Sequence, residues 1–86
     1  MNLAEDSDED VRIGVANNQS TPVPILLALA LNKHESVPGA VAENPNTPIE
    51  TLQTLSQDKN FEVRWRVAEN TSTSSETLVA LSKDKK

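Results

Sequence analysis

Val63-Arg64-Trp65-Arg66-Val67-Ala68-Glu69-Asn70-Thr71-Ser72-Thr73 is the third writing of one pattern. The first is Val11-Arg12-Ile13-Gly14-Val15-Ala16-Asn17-Asn18-Gln19-Ser20-Thr21, and the second runs from Val37 to Thr47. Outward from this stretch the same 26-residue step joins Leu26, Leu52 and Leu78, and also Leu3, Leu29, Leu55 and Leu81. No insertion breaks the register. Self-similarity at a fixed period marks stacked repeats, in which each unit buries its apolar face on the next. The pattern predicts a single domain, 1–86, with units at about 3–28, 29–54 and 55–80 and a C-terminal tail at 81–86.

Each unit reads as two helices. Thr47-Pro48-Ile49-Glu50 has the form of a helix start: Thr47 as cap, Pro48 at the first helical position, Glu50 closing a capping box. Thr73-Ser74-Ser75-Glu76 repeats the box without the proline, and Thr21-Pro22-Val23-Pro24 repeats the cap and proline without the acid. A helix of about eleven residues is expected from each cap, with Ile49, Leu52 and Leu55 on one face. Leu26 with Leu29, and Leu78 with Leu81, hold the same places and are expected in the core. Leu27 and Leu31 make the first copy more apolar than its siblings, and burial is the preferred reading for them. After a polar link such as Asp58-Lys59-Asn60 comes Val63 to Ala68. Valines four apart share a helical side, yet the brevity and β-branching predict only one or two turns, with the tighter 3₁₀ form an alternative. A strand reading fails, because the leucine at position 31 becomes Gln57 and Lys83 in the later copies.

Composition agrees with a thin stacked core. Only 36% of the 86 residues are hydrophobic, and the aromatics are Phe61 and Trp65 alone. A scaffold of this size without staples reaches roughly 3–5 kcal/mol. Cysteine is absent, so disulfides and thiolate metal sites are excluded. The longest apolar run, Val23 to Leu31, is too short to span a bilayer, and an acidic N-terminus is the reverse of a signal peptide. A cytoplasmic protein is the resulting expectation. Thirteen acids against eight bases leave a net charge of −5, which disfavours nucleic acid as a partner. Five acids and no base fall in residues 1–10, whereas Lys83, Lys85 and Lys86 surround Asp84. Two solvated termini explain this, or a head-to-tail contact between molecules.

The unit Leu55, Asp58, Val63, Arg64, Val67, Ala68, Asn70, Thr73, Leu78, Leu81 resembles the leucine-rich repeat variant family. The likeness covers essentially the whole chain. It implies an all-α fold: a short right-handed superhelical solenoid of alternating α and 3₁₀ helices, similar in general character to armadillo and HEAT arrays. It implies no general activity. The cysteine-bound iron–sulfur domain of some relatives does not carry over, since cysteine is missing. The departures are Asn32 for the aspartate, Pro38 for the arginine and Ser74 for the proline. Asp6 and Asp58 each precede an arginine, Arg12 and Arg64, by six residues, and the middle copy loses both members. A structural ion pair across the link, holding the short helix against the long one, is expected in the outer copies.

No catalytic, cofactor-binding or metal-binding residues are expected. His34 stands alone in a polar link, and two glycines, Gly14 and Gly39, make no phosphate loop. The candidate partner-binding residues are Arg64, Trp65 and Arg66, because tryptophan and arginine concentrate at binding hot spots. Phe61 is expected to pack in the core of the last unit. The preferred function is a non-enzymatic protein-interaction module. The alternatives are nucleic-acid binding through Arg12, Lys33, Lys59, Arg64 and Arg66 on one concave face, and a self-associating structural protein, with a homodimer formed through exposed end units.

Overall fold

The computed structural model describes residues 8–83. Six helices follow one another: α1 (Glu9–Asn17), α2 (Val23–Leu29), α3 (Ser36–Glu43), α4 (Ile49–Leu55), α5 (Phe61–Glu69) and α6 (Ser75–Ser82). No strand occurs among the described residues. Leu3, Asp6 and the last two lysines lie outside them, and so does the expected Asp6–Arg12 pair.

The valine-bearing elements α1, α3 and α5 are α-helices of 9, 8 and 9 residues, longer than expected and not 3₁₀. The link residues lengthen them at the N-terminus. Asp8 accepts the Asp10 N–H, and Asn60 accepts those of Glu62 and Val63, so the helices open ahead of the valines. Tight i→i−3 bonding falls at the ends: Val11 donates to Asp8 and Val37 to His34 at the entries of α1 and α3, and at the exits Asn18, Asn44 and Asn70 donate their N–H groups to Val15, Val41 and Val67. The leucine-bearing elements α2, α4 and α6 are shorter than expected, at 7, 7 and 8 residues. Past Leu29 and Leu55 the backbone tightens: Leu31 donates to Ala28, Asn32 to Leu29, Gln57 to Thr54 and Asp58 to Leu55. That converts the rest of the apolar run into a turn.

The threonines do not cap the helices they precede. Pro22 and Pro48 hold the cap positions of α2 and α4 without a side-chain bond, and Ser74 caps α6 by accepting the Thr77 N–H. Thr21, Thr47 and Thr73 instead donate their hydroxyls backward, to the carbonyls of Val15, Val41 and Val67 at 2.5, 2.6 and 2.6 Å. Each of those carbonyls already accepts the asparagine N–H, so its second lone pair is used as well. A buried hydroxyl beside an open helix exit satisfies two groups at once, which a solvent-facing cap would not do.

Helix α3 packs between α1 and α5, and α2, α4 and α6 pack against this file. The chain extends 41 × 22 × 15 Å. Leu26, Leu29, Val37, Val41, Leu52, Leu55, Val63 and Val67 are buried together with Ala16, Ala40 and Ala42. The expected leucine core therefore holds in the first two copies. In the third, Leu78 is 40% exposed, since no described layer follows it. Leu27 and Leu31 face outward, Leu31 at 84% exposure, against the expected burial. Leu26 and Leu29 occupy the inner stripe of α2; Leu27 lies about 100° round the helix from Leu26, and Leu31 falls in the turn. Ile49, expected on one face with Leu52 and Leu55, is 52% exposed at the first position of α4, whereas those two leucines are buried.

A ladder of asparagines joins the units. Asn44 Nδ2 donates to Ala16 O at 2.8 Å and to Asn18 O at 3.0 Å. One step on, Asn70 Nδ2 donates to Ala42 O at 2.7 Å and to Asn44 O at 3.0 Å. Each Oδ1 accepts the N–H two residues ahead, from Asn46 and Ser72. Helix exits leave carbonyls without intrahelical partners. Here the next unit supplies the donors, so unit spacing is set by hydrogen bonds as well as by apolar packing.

Gly14 lies inside α1, and a Cβ built there meets nothing within 4 Å. Its φ is not positive, so the position has no need of glycine. Gly14→Ala is expected to stabilise the fold by about 0.5–1 kcal/mol through lower unfolded-state entropy. Urea titration of dilute protein checks this.

Candidate functional site

The three expected contact residues sit on one helix but serve three different places. Arg64 is tied into the link before α5: its Nη1 donates to Asp58 O at 2.6 Å and to Lys59 O at 2.9 Å. The ion pair expected between Asp58 and Arg64 is not formed: the guanidinium takes the Asp58 backbone carbonyl, and the Asp58 carboxylate accepts the Asn60 N–H at 2.8 Å. A guanidinium bridging two carbonyls clamps the link to the helix that follows it.

Arg66 lies across the neighbouring helix. Its guanidinium pairs with Glu43 of α3 and, at 3.4 Å, with Glu62 one turn back on α5. The side chain packs over Gly39, where a Cβ would stand in ordinary contact at 3.4 Å from Arg66 Cδ. Arg66 thereby walls a groove of about 550 Å³ whose lining includes Ile13, Lys33, Glu35, Gly39 and Glu43. His34 lies on the same groove, paired with Glu9 of the preceding unit, and Asn60 donates to Glu35 in the equivalent way. The groove carries both signs of charge. Of the five bases that a nucleic-acid face would require, Lys33 and Arg66 line it, among three acids, Glu35, Glu43 and Glu62.

Trp65 points elsewhere. It is 48% exposed, and Phe61, one turn earlier, is 57% exposed. The two aromatics form a shallow apolar surface together with Asn60 and Glu62. Phe61 was expected in the core and is not there. The register explains this: positions 61, 65 and 68 follow Glu35, Gly39 and Ala42, which α5 adjoins, and no described helix lies beyond α5 on that flank. Ala68 gives the same message, being exposed where Ala16 and Ala42 are fully buried. Among the described residues the outer flank of α5 is therefore uncovered, although its register is that of an interior face.

Trp65 and Arg66 are legible in the sequence as hot-spot residue types standing where the other copies carry Ile13 and Gly14, or Gly39 and Ala40. Ala68 carries no such signal, and its significance is visible only when its exposure is set beside the burial of its two counterparts. No group of three or more histidines and carboxylates able to hold a metal ion occurs among the described residues. No helix there is long and apolar enough to cross a membrane.

No family model, curated protein or solved structure matches this chain.

Proposed function

We propose that the chain is a short helical-repeat solenoid acting as a non-enzymatic protein-interaction module, with the outer flank of α5 as its contact surface. The single observation that carries this is the exposure of Trp65 and Ala68 at a register whose earlier members are covered by the next helix. Tryptophan is among the side chains most enriched at binding hot spots, and a contiguous exposed apolar patch marks an interaction surface. The solenoid reading is supported by the asparagine ladder, which repeats one inter-unit contact at a fixed step. The resemblance to leucine-rich repeat variants is supported by that step and by the helix pairing of each unit; the α-helical form of α1, α3 and α5 departs from the family's 3₁₀ element. A protein partner is favoured over nucleic acid by the mixed charge of the groove and by the pairing of Arg66 with Glu43 and Glu62.

Retention of binding proteins on the immobilised chain, with Trp65→Ala as control, tests the module. A partner held by the wild type and lost from the folded variant supports it. Equal retention by both, or no retained protein including the chain itself, removes the α5 flank as the contact surface.

A further inference from the structure

Resting on that reading, we propose that the occupant of the α5 flank is the α1 end of a second copy of this chain, stacked head to tail so that the register of the units continues from one molecule into the next. The internal layers define what a neighbour must supply. Carbonyls of the alanine and asparagine at each exit receive the asparagine amide of the following unit, as Ala16 and Asn18 do from Asn44. At the open end the equivalent carbonyls belong to Ala68 and Asn70. The equivalent amide at the other end of the molecule belongs to Asn18, which is exposed and has no preceding described unit. A second rung runs beside the first: Asn46 Nδ2 donates to Gln19 O at 2.5 Å, and Ser72 Oγ to Pro45 O at 2.9 Å. Its continuation between molecules is Ser20 Oγ donating to Thr71 O.

Shape agrees with this register. Inside the molecule a large side chain lies on a glycine, Arg66 on Gly39. One step on, the pair becomes Trp65 of one copy and Gly14 of the next. Gly14 is exposed, with open space where a Cβ would be. Tryptophan is oversized for an interior layer of alanines, and it meets the one equivalent position in the second copy that has no side chain. A symmetric contact between two α5 flanks would offer carbonyls to carbonyls and Trp65 to Trp65. A head-to-tail contact is heterologous and does not close on itself, so it gives a rising series of species and not a single dimer.

Sedimentation velocity over a concentration series tests this with two blocking variants. Gly14→Glu fills the open position at the head. Ala68→Glu places a long side chain at the tail, where Ala16 and Ala42 are 0% exposed and tolerate no such bulk. Both sites are exposed in the free chain, and circular dichroism verifies that each variant folds. The expected result is a mean mass for the wild type that climbs with concentration, with association of each variant alone weakened at least about tenfold, which is 1.4 kcal/mol. Mixing the two variants should restore association and stop at a one-to-one complex, because one good head meets one good tail. The proposal is overturned by a wild type that stays monomeric throughout, by a Gly14→Glu variant that associates like the wild type, or by a mixture that forms no complex. A monomeric wild type that still retains a different protein through Trp65 overturns the stacking alone and leaves the interaction module intact.

Discussion

Asn44→Ala is expected to cost about 3 kcal/mol, roughly one for each of three hydrogen bonds. Its Nδ2 donates to Ala16 O and Asn18 O, and its Oδ1 accepts the Asn46 N–H at 2.9 Å. The side chain is 1% exposed, so truncation leaves the Ala16 carbonyl without its donor in a place water reaches poorly. Against a total stability of roughly 3–5 kcal/mol for a scaffold of this size, that loss unfolds much of the population. Asn18→Ala is the matched control. Asn18 is exposed, and its Oδ1 accepts the Ser20 N–H at 2.8 Å. In dilute solution its loss is expected to cost less than about 1 kcal/mol. Urea denaturation followed by circular dichroism measures both. Equal effects at the two positions would mean that the ladder does not hold the units together.

Leu52→Ala should cost about 3 kcal/mol by leaving a cavity between α4 and the α3–α5 file. The side chain is 1% exposed and belongs to the central cluster. Leu78→Ala changes the same register position in the last unit, where the side chain is 40% exposed, and should cost less than about 1 kcal/mol. The contrast separates position in the stack from residue chemistry, because the substitution is the same. A Leu78 variant as damaged as the Leu52 variant would mean that something covers the last unit in solution. Dilution would then identify that cover: a second copy dissociates and the Leu78 penalty falls, whereas an intramolecular cover is unaffected.

Much of the architecture was legible in the periodicity. A step of 26 residues without insertion required equal layers, and the leucine and valine positions chose helices over strands. The local assignments fared less well where a side chain had two partners to choose from. Thr47 has the chemistry of a helix cap, yet its hydroxyl donates to Val41 O, because the exit of α3 offers a buried acceptor closer to hand. Leu27 and Leu31 satisfy an apolar count but lie off the inner stripe of α2. Phe61 was assigned to a core that does not extend beyond α5. Trp65 and Arg66 were legible as breaks in the pattern, but their different roles were not. Adjacent residues on a helix point about 100° apart, so Arg66 turns to Gly39 and Glu43 while Trp65 turns to the open flank.

The sequence by itself determined the repeat, its helical character and the identity of the buried stripe, because all three follow from spacing along one chain. Only the tertiary structure decided which members of each equivalent set are covered. Ala16, Ala42 and Ala68 are one letter at one register, yet the first two are buried and the third is exposed. Burial belongs to a pair of packed helices and not to a residue: α3 lies between α1 and α5, and the outer flank of α5 carries the chemistry of an interior with no described neighbour to make it one.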